Sequence, residues 1–160
     1  MVGIHLLCVG KLKEPFYQAA AAEYAKRLSA HCKLSLVQLP EERLPERPSP
    51  AQVEDALARE GAAILARCPR GAPLVALCVE GALLSSEALA QRLDGWMVSG
   101  VSSLAFVIGG SFGLHPMVKE QAALRLSMSP MTFPHHLARI MLLEQLYRGF
   151  QINAGSRYHK

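Results

Sequence analysis

Residues 104–116 read LAFVIGGSFGLHP. Five apolar residues, Leu104 to Ile108, run straight into Gly109, Gly110 and, three positions on, Gly113. The apolar run is short and continuous, which suits a strand buried on both faces. The glycines let the backbone turn tightly and approach a ligand closely. A short helix fits residues 116–123, so the stretch reads as strand, turn, helix.

The same alternation extends outward in both directions. PLVALCV (73–79) is a strongly apolar strand that should end near Glu80 and Gly81. Ser85 or Ser86 can cap a helix that ends by Gly100, with Glu87 near its positive end. IHLLCV (4–9) is a buried strand closed by Gly10, KLSLVQL (33–39) is a second, and LRLSM (124–128) is a fifth. A helix from about Pro15 to Ser29 would place Phe16, Ala20, Tyr24 and Leu28 on one face. Another, about 51–67, would do so for Val53, Leu57, Ile64 and Leu65. Residues 40–50, with Pro40, Pro45, Pro48 and Pro50, read as a loop. The last helix, about 135–149, is apolar over more than one stripe: it is either a central core helix or a surface for a second subunit. Strands alternating with helices predict an α/β fold, a mainly parallel sheet with helices on both faces. A chain of 160 residues suits a single domain, 1–160.

In an open parallel sheet, ligands bind beyond the carboxyl ends of the strands. Three such ends stand out: 77–84, 106–116 and 127–136. The glycine spacing is G-G-x-x-G, and no acid lies about 20 positions on, so a dinucleotide fold is disfavoured. A phosphate-cradling P-loop and a G-x-S-x-G nucleophile elbow are both absent. The three ends suit a small, partly apolar ligand, with an adenine edge read by main-chain groups. Met128, Met131 and Phe133 could pack on its faces.

Composition bounds the partners. The chain is 51% hydrophobic, without an apolar run near membrane-spanning length or a basic leader, so a cytoplasmic protein with no membrane partner is expected. Four cysteines, Cys8, Cys32, Cys68 and Cys78, show no metal-ligand spacing, so no metal is expected. Cys8 and Cys78 sit in apolar runs and read as reduced core residues. The net charge is +4. All of it lies in residues 125–160, where Arg125, Arg139, Arg148, Arg157 and Lys160 face a single acid, Glu144. Charge confined to one end points to an anionic partner such as nucleic acid.

VGKLKEPF, FVIGGSFGLH and SMSPMTFPHHLARIMLLEQLYRGFQINAGSRYHK together resemble the RlmH (YbeA) family of ribosomal RNA methyltransferases, in the SPOUT superfamily. The likeness covers essentially the whole chain. It implies an α/β domain with a deep C-terminal trefoil knot, a homodimer, and S-adenosylmethionine as cofactor. It also implies N3-methylation of a pseudouridine in helix 69 of 23S rRNA, on the assembled ribosome. The family's cofactor contacts fall on Leu77, Gly109, Met128, Ser129, Pro130, Met131, Thr132 and Phe133. Phe112 departs from the family, where a polar or acidic residue is common.

N3 of a pseudouridine carries a proton that a base must take. His159 is the expected base or relay, with His135 or His136 as the competing candidate. Tyr158 would stack on or hydrogen-bond the target base. Arg148 and Arg157 would hold phosphate or developing negative charge, and Arg139 and Lys160 add further RNA contacts. The alternatives are a SPOUT methyltransferase with another RNA target, and a non-catalytic ribosome-associated RNA-binding module.

Overall fold

The computed structural model describes residues 1–160. In chain order the elements are β1 (Gly3–Val9), α1 (Pro15–Leu28), β2 (Lys33–Leu39), α2 (Pro50–Arg67) and β3 (Leu74–Leu83). There follow α3 (Ser86–Val98), β4 (Ser103–Ile108), α4 (Pro116–Gln121), β5 (Leu124–Ser127) and α5 (His135–Asn153). The five strands form one sheet in the order β2-β1-β4-β3-β5, and every pairing is parallel. This is the predicted α/β class.

Alternation along the strands explains the layers. Ile4, Leu6 and Cys8 of β1, with Leu104, Phe106 and Ile108 of β4, face a core shared with residues of α1, α3 and α5. Leu7 and Val9, with Ala105 and Val107, face the opposite core under α2 and α4. Period-two strands with both sets apolar need cover on both sides. Each fully buried Leu or Phe contributes about 1.5–3 kcal/mol.

Three expectations need correction. Of the face predicted for α1, Leu28 is buried, but Phe16 is 65% exposed and Ala21 is buried in its place. On α2, Ile64 of the predicted stripe is buried, but Ala56, Glu60 and Gly61 are buried with it while Val53, Leu57 and Leu65 are only half-buried. β3 runs on past Gly81 to Leu83, because it changes register against β5 between Leu77 and Ala82. A Cβ at Gly81 would stand 2.8 Å from the backbone of Arg125 and Leu126, so glycine permits that irregularity.

α5 resolves one of its two alternatives directly. Leu142, Leu143, Leu146, Gly149 and Phe150 are buried between α1 and α3, which makes it a core helix. Gly149 fits because its missing side chain leaves room for Leu93, which a Cβ would meet at 3.0 Å. No helix is long and apolar enough to cross a membrane.

Candidate active site

The three strand ends chosen from sequence meet in one cavity of about 770 Å³. That lies within the roughly 300–1,000 Å³ common for small-molecule sites. Its walls come from Leu77–Glu80 after the first half of β3, Ile108–Leu114 after β4, and Leu126–His135 after β5, with Lys119 and Ala138. Leu77, Gly109, Met128, Ser129, Met131, Thr132 and Phe133 all line it; Pro130 does not.

The turn after β4 is glycine-dependent. A Cβ at Gly109 would overlap the Gly113 carbonyl. Gly113 adopts φ +80°, a conformation that disfavours other residues, and its N–H donates to the Gly110 carbonyl at 3.0 Å. The loop after β5 is shaped by its serines. Ser127 Oγ donates to the Ser129 carbonyl at 3.0 Å, and Ser129 Oγ accepts from the Met131 N–H at 3.0 Å. Met131 is left 73% exposed at the cavity.

Only two side chains of fixed charge reach the wall, Glu80 and Lys119, and they form an ion pair. Lys119 holds the Glu80 carboxyl below its usual range. Cys78 also lines the cavity and is half-buried, so it is not the core residue expected; Cys32 is. All four cysteines are free thiols.

His135 is the one expected catalytic residue on the cavity wall. Its ring stacks on that of His136, centroids 4.1 Å apart, and neither Nδ1 has a hydrogen-bond partner. Burial, reinforced by His135 and Arg139, holds His136 below its ordinary pKa. Arg139 corrects another expectation. It is 4% exposed and donates to the Gly10 carbonyl at 3.1 Å and to Gln38 Oε1 at 3.4 Å. It ties α5 to the ends of β1 and β2 and is not a surface contact for RNA.

The tail residues form a separate cluster. Glu144 organises it: Oε1 accepts from Arg148 Nε at 2.8 Å and Oε2 accepts from Tyr158 Oη at 2.9 Å. Arg148 lies 4.7 Å from the Tyr158 ring centre, and Tyr147 meets that ring edge-on at 4.9 Å. His159 Nδ1 lies 3.2 Å from Arg148 and Nε2 lies 2.7 Å from Glu87 Oε1. Guanidinium groups only donate, so Nδ1 is the acceptor and Nε2 carries the proton given to Glu87. The ring's basic lone pair is therefore occupied. Burial and Glu144 raise the Tyr158 pKa, which keeps the phenol protonated. Arg157 and Lys160 are exposed.

Within one chain, then, the expected base and its companions do not reach the cavity. Their partner Glu144 lines a smaller cleft that shares Leu126, Ser127 and Met128 with the cavity as a common wall. Sequence reasoning missed Glu144, whose i, i+4 spacing to Arg148 was available as a signal. It also missed Glu41, Glu80 and Lys119, for which no local pattern exists.

A family model described as a predicted SPOUT methyltransferase matches residues 2–159. A protein of Methanoregula boonei (strain DSM 21154 / JCM 14090 / 6A8), named "Putative ribosomal RNA large subunit methyltransferase H", is 48% identical over 157 residues, covering 98% of this chain and 99% of that one. The chain belongs to the RlmH family of SPOUT methyltransferases. Among solved structures, "a probable methylase family protein from Haemophilus influenzae Rd KW20" superposes with a TM-score of 0.53. That match covers 98% of this chain and 70% of the other at 14% identity, a likeness of fold. The RlmH chain's cavity therefore sits where a SPOUT-type α/β sheet presents its strand ends.

Proposed function

We propose that this RlmH-family chain uses S-adenosylmethionine to methylate N3 of a pseudouridine in helix 69 of 23S rRNA, on the assembled ribosome and as a homodimer. The observation that carries the reading is the cavity at three strand ends, walled by glycine main chain, apolar side chains and one ion pair. The residues fit the cofactor. The volume suits it, the glycine turn offers main-chain groups, and Met128, Met131 and Phe133 offer soft and aromatic faces. The relative's name supports ribosomal RNA of the large subunit as substrate. The same likeness supports a trefoil knot in the C-terminal part.

When bound, the cofactor supplies a methyl group already activated by a neighbouring positive sulfur. The protein's work is then to orient, to exclude water and to move one proton. Orientation alone can contribute about 7–11 kcal/mol. A positioned base adds roughly 10²–10⁴-fold. His135 on the wall is one candidate. His159 is the other, supplied by the tail of the second protomer, since its own chain holds it on Glu87 and Arg148. Freed from Arg148, Nδ1 regains the lone pair a base needs. Arg148 and Arg157 would then face phosphate or the anion spreading over the base carbonyls. The half-exposed face of α5, with Ile140, Met141 and Tyr147, suits the dimer contact.

Two measurements test this. Mass mapping of helix 69 from ribosomes with and without the protein should show one added methyl group on the pseudouridine. A methyl group found on another nucleotide would replace the substrate assignment. Removing residues 157–160 should abolish methylation while cofactor binding by calorimetry persists. Full activity in the truncated chain would reject the tail as catalytic.

A further inference from the structure

The glycine turn after β4 is held from outside the three strand ends. Its tip is fastened by Glu41, seventy residues upstream in the proline-containing loop after β2. The Ser111 N–H and Oγ both donate to Glu41 Oε1, at 3.2 and 3.1 Å. A Cβ at Gly110 would stand 2.8 Å from that same oxygen, so the bare glycine is what admits the carboxylate. The loop carrying Glu41 is itself anchored, because buried Glu60 accepts from the Glu42 N–H at 2.9 Å. At the far end of the turn, His115 Nδ1 accepts from the Met117 N–H, so Nε2 donates to Glu54 Oε1 at 2.6 Å. The loop after β2 and the start of α2 thus supply one carboxylate to the tip of the turn and one to its far end.

The glycines have no side chains to stiffen the turn. Any freedom left there would have to be removed when a ligand binds. We infer that Glu41 is a positioning residue that preorganises the Gly109–Gly113 wall of the cofactor cavity, acting through Ser111. This rests on the reading of that cavity as the S-adenosylmethionine site. Glutamine at position 41 keeps an acceptor for Ser111, whereas alanine does not.

The experiment compares wild type, Glu41→Ala, Glu41→Gln, Ser111→Ala and the Glu41→Ala/Ser111→Ala double variant. S-adenosylmethionine affinity is measured by calorimetry at a temperature where all are folded, and Ser111 amide exchange is measured without ligand. Glu41→Ala should weaken binding about tenfold or more and speed Ser111 exchange by a similar factor. Glu41→Gln should recover most of both, and the double variant should bind no more weakly than Glu41→Ala. A lower melting temperature in Glu41→Ala with unchanged affinity would overturn the inference, as would unchanged Ser111 exchange. Wild type failing to bind S-adenosylmethionine would sink the cofactor reading, and the exchange data would still decide whether Glu41 holds the turn.

Discussion

Gly109 shows how one missing side chain can shape a cavity. Its Cβ position is filled by the Gly113 carbonyl, so Gly109→Ala must push the turn open. The change should cost about 1–3 kcal/mol, typical of overpacking, and should abolish cofactor binding in calorimetry. Retained affinity would show that the wall tolerates displacement. His136 is informative in another way. Its folded pKa is depressed by burial, with His135 and Arg139 adding to it, from an unfolded value near 6.5. The unfolded chain therefore takes up this proton first as pH falls. The contribution is complete above about pH 6.5 and is lost as pH drops toward the folded value. Urea midpoints should fall more between pH 7.5 and 5.5 for wild type than for His136→Gln, and parallel declines would contradict the assignment. Legibility at this scale was uneven. The cavity glycines and Met128 stood out because strand ends are where such folds bind ligands. Arg139 misled because a charge in a basic segment looks solvated, and its carbonyl partner, Gly10, lies far away in sequence.

Among the elements, α2 connects local capping to the site. Ser49 forms a reciprocal capping box with Gln52, and Pro50 follows it. One turn further on, Glu54 reaches His115 beside the glycine turn. Ser49→Ala should cost about 1 kcal/mol in denaturant unfolding. An unchanged midpoint would mean that tertiary packing alone holds the helix start. Strand and helix order was legible throughout because each apolar strand run is short and is bounded by glycine, proline or a helix cap. The faces of α1 and α2 were not. Alanine-rich helices give a weak stripe, and small residues such as Ala21, Ala56 and Gly61 take buried positions. The passage of β3 beyond Gly81 was equally hidden, since a glycine that ends one strand looks the same as one that lets it shift register.

For the molecule as a whole, the separation of cavity and tail cluster makes a prediction about assembly. If one protomer's tail serves the other's cavity, two defective chains can complement each other. Chains lacking residues 157–160, mixed and re-equilibrated with Gly109→Ala chains, should recover methylation that neither has alone. An intact tail and an intact cavity then meet in one of the two pairings. No recovery, with mixed dimers verified by native mass spectrometry, would show that tail and cavity act within one chain.

The strand order β2-β1-β4-β3-β5 has a consequence for synthesis. β1 pairs early with β2, but its other edge waits for β4, which begins at Ser103. At roughly 5–20 residues per second, translation leaves that edge uncovered for several seconds. During this interval a two-stranded ribbon carrying Ile4, Leu6 and Leu7 is an open template for intermolecular pairing. Nascent chains stalled before residue 103 should therefore recruit holding chaperones, and chains long enough to include α5 should release them.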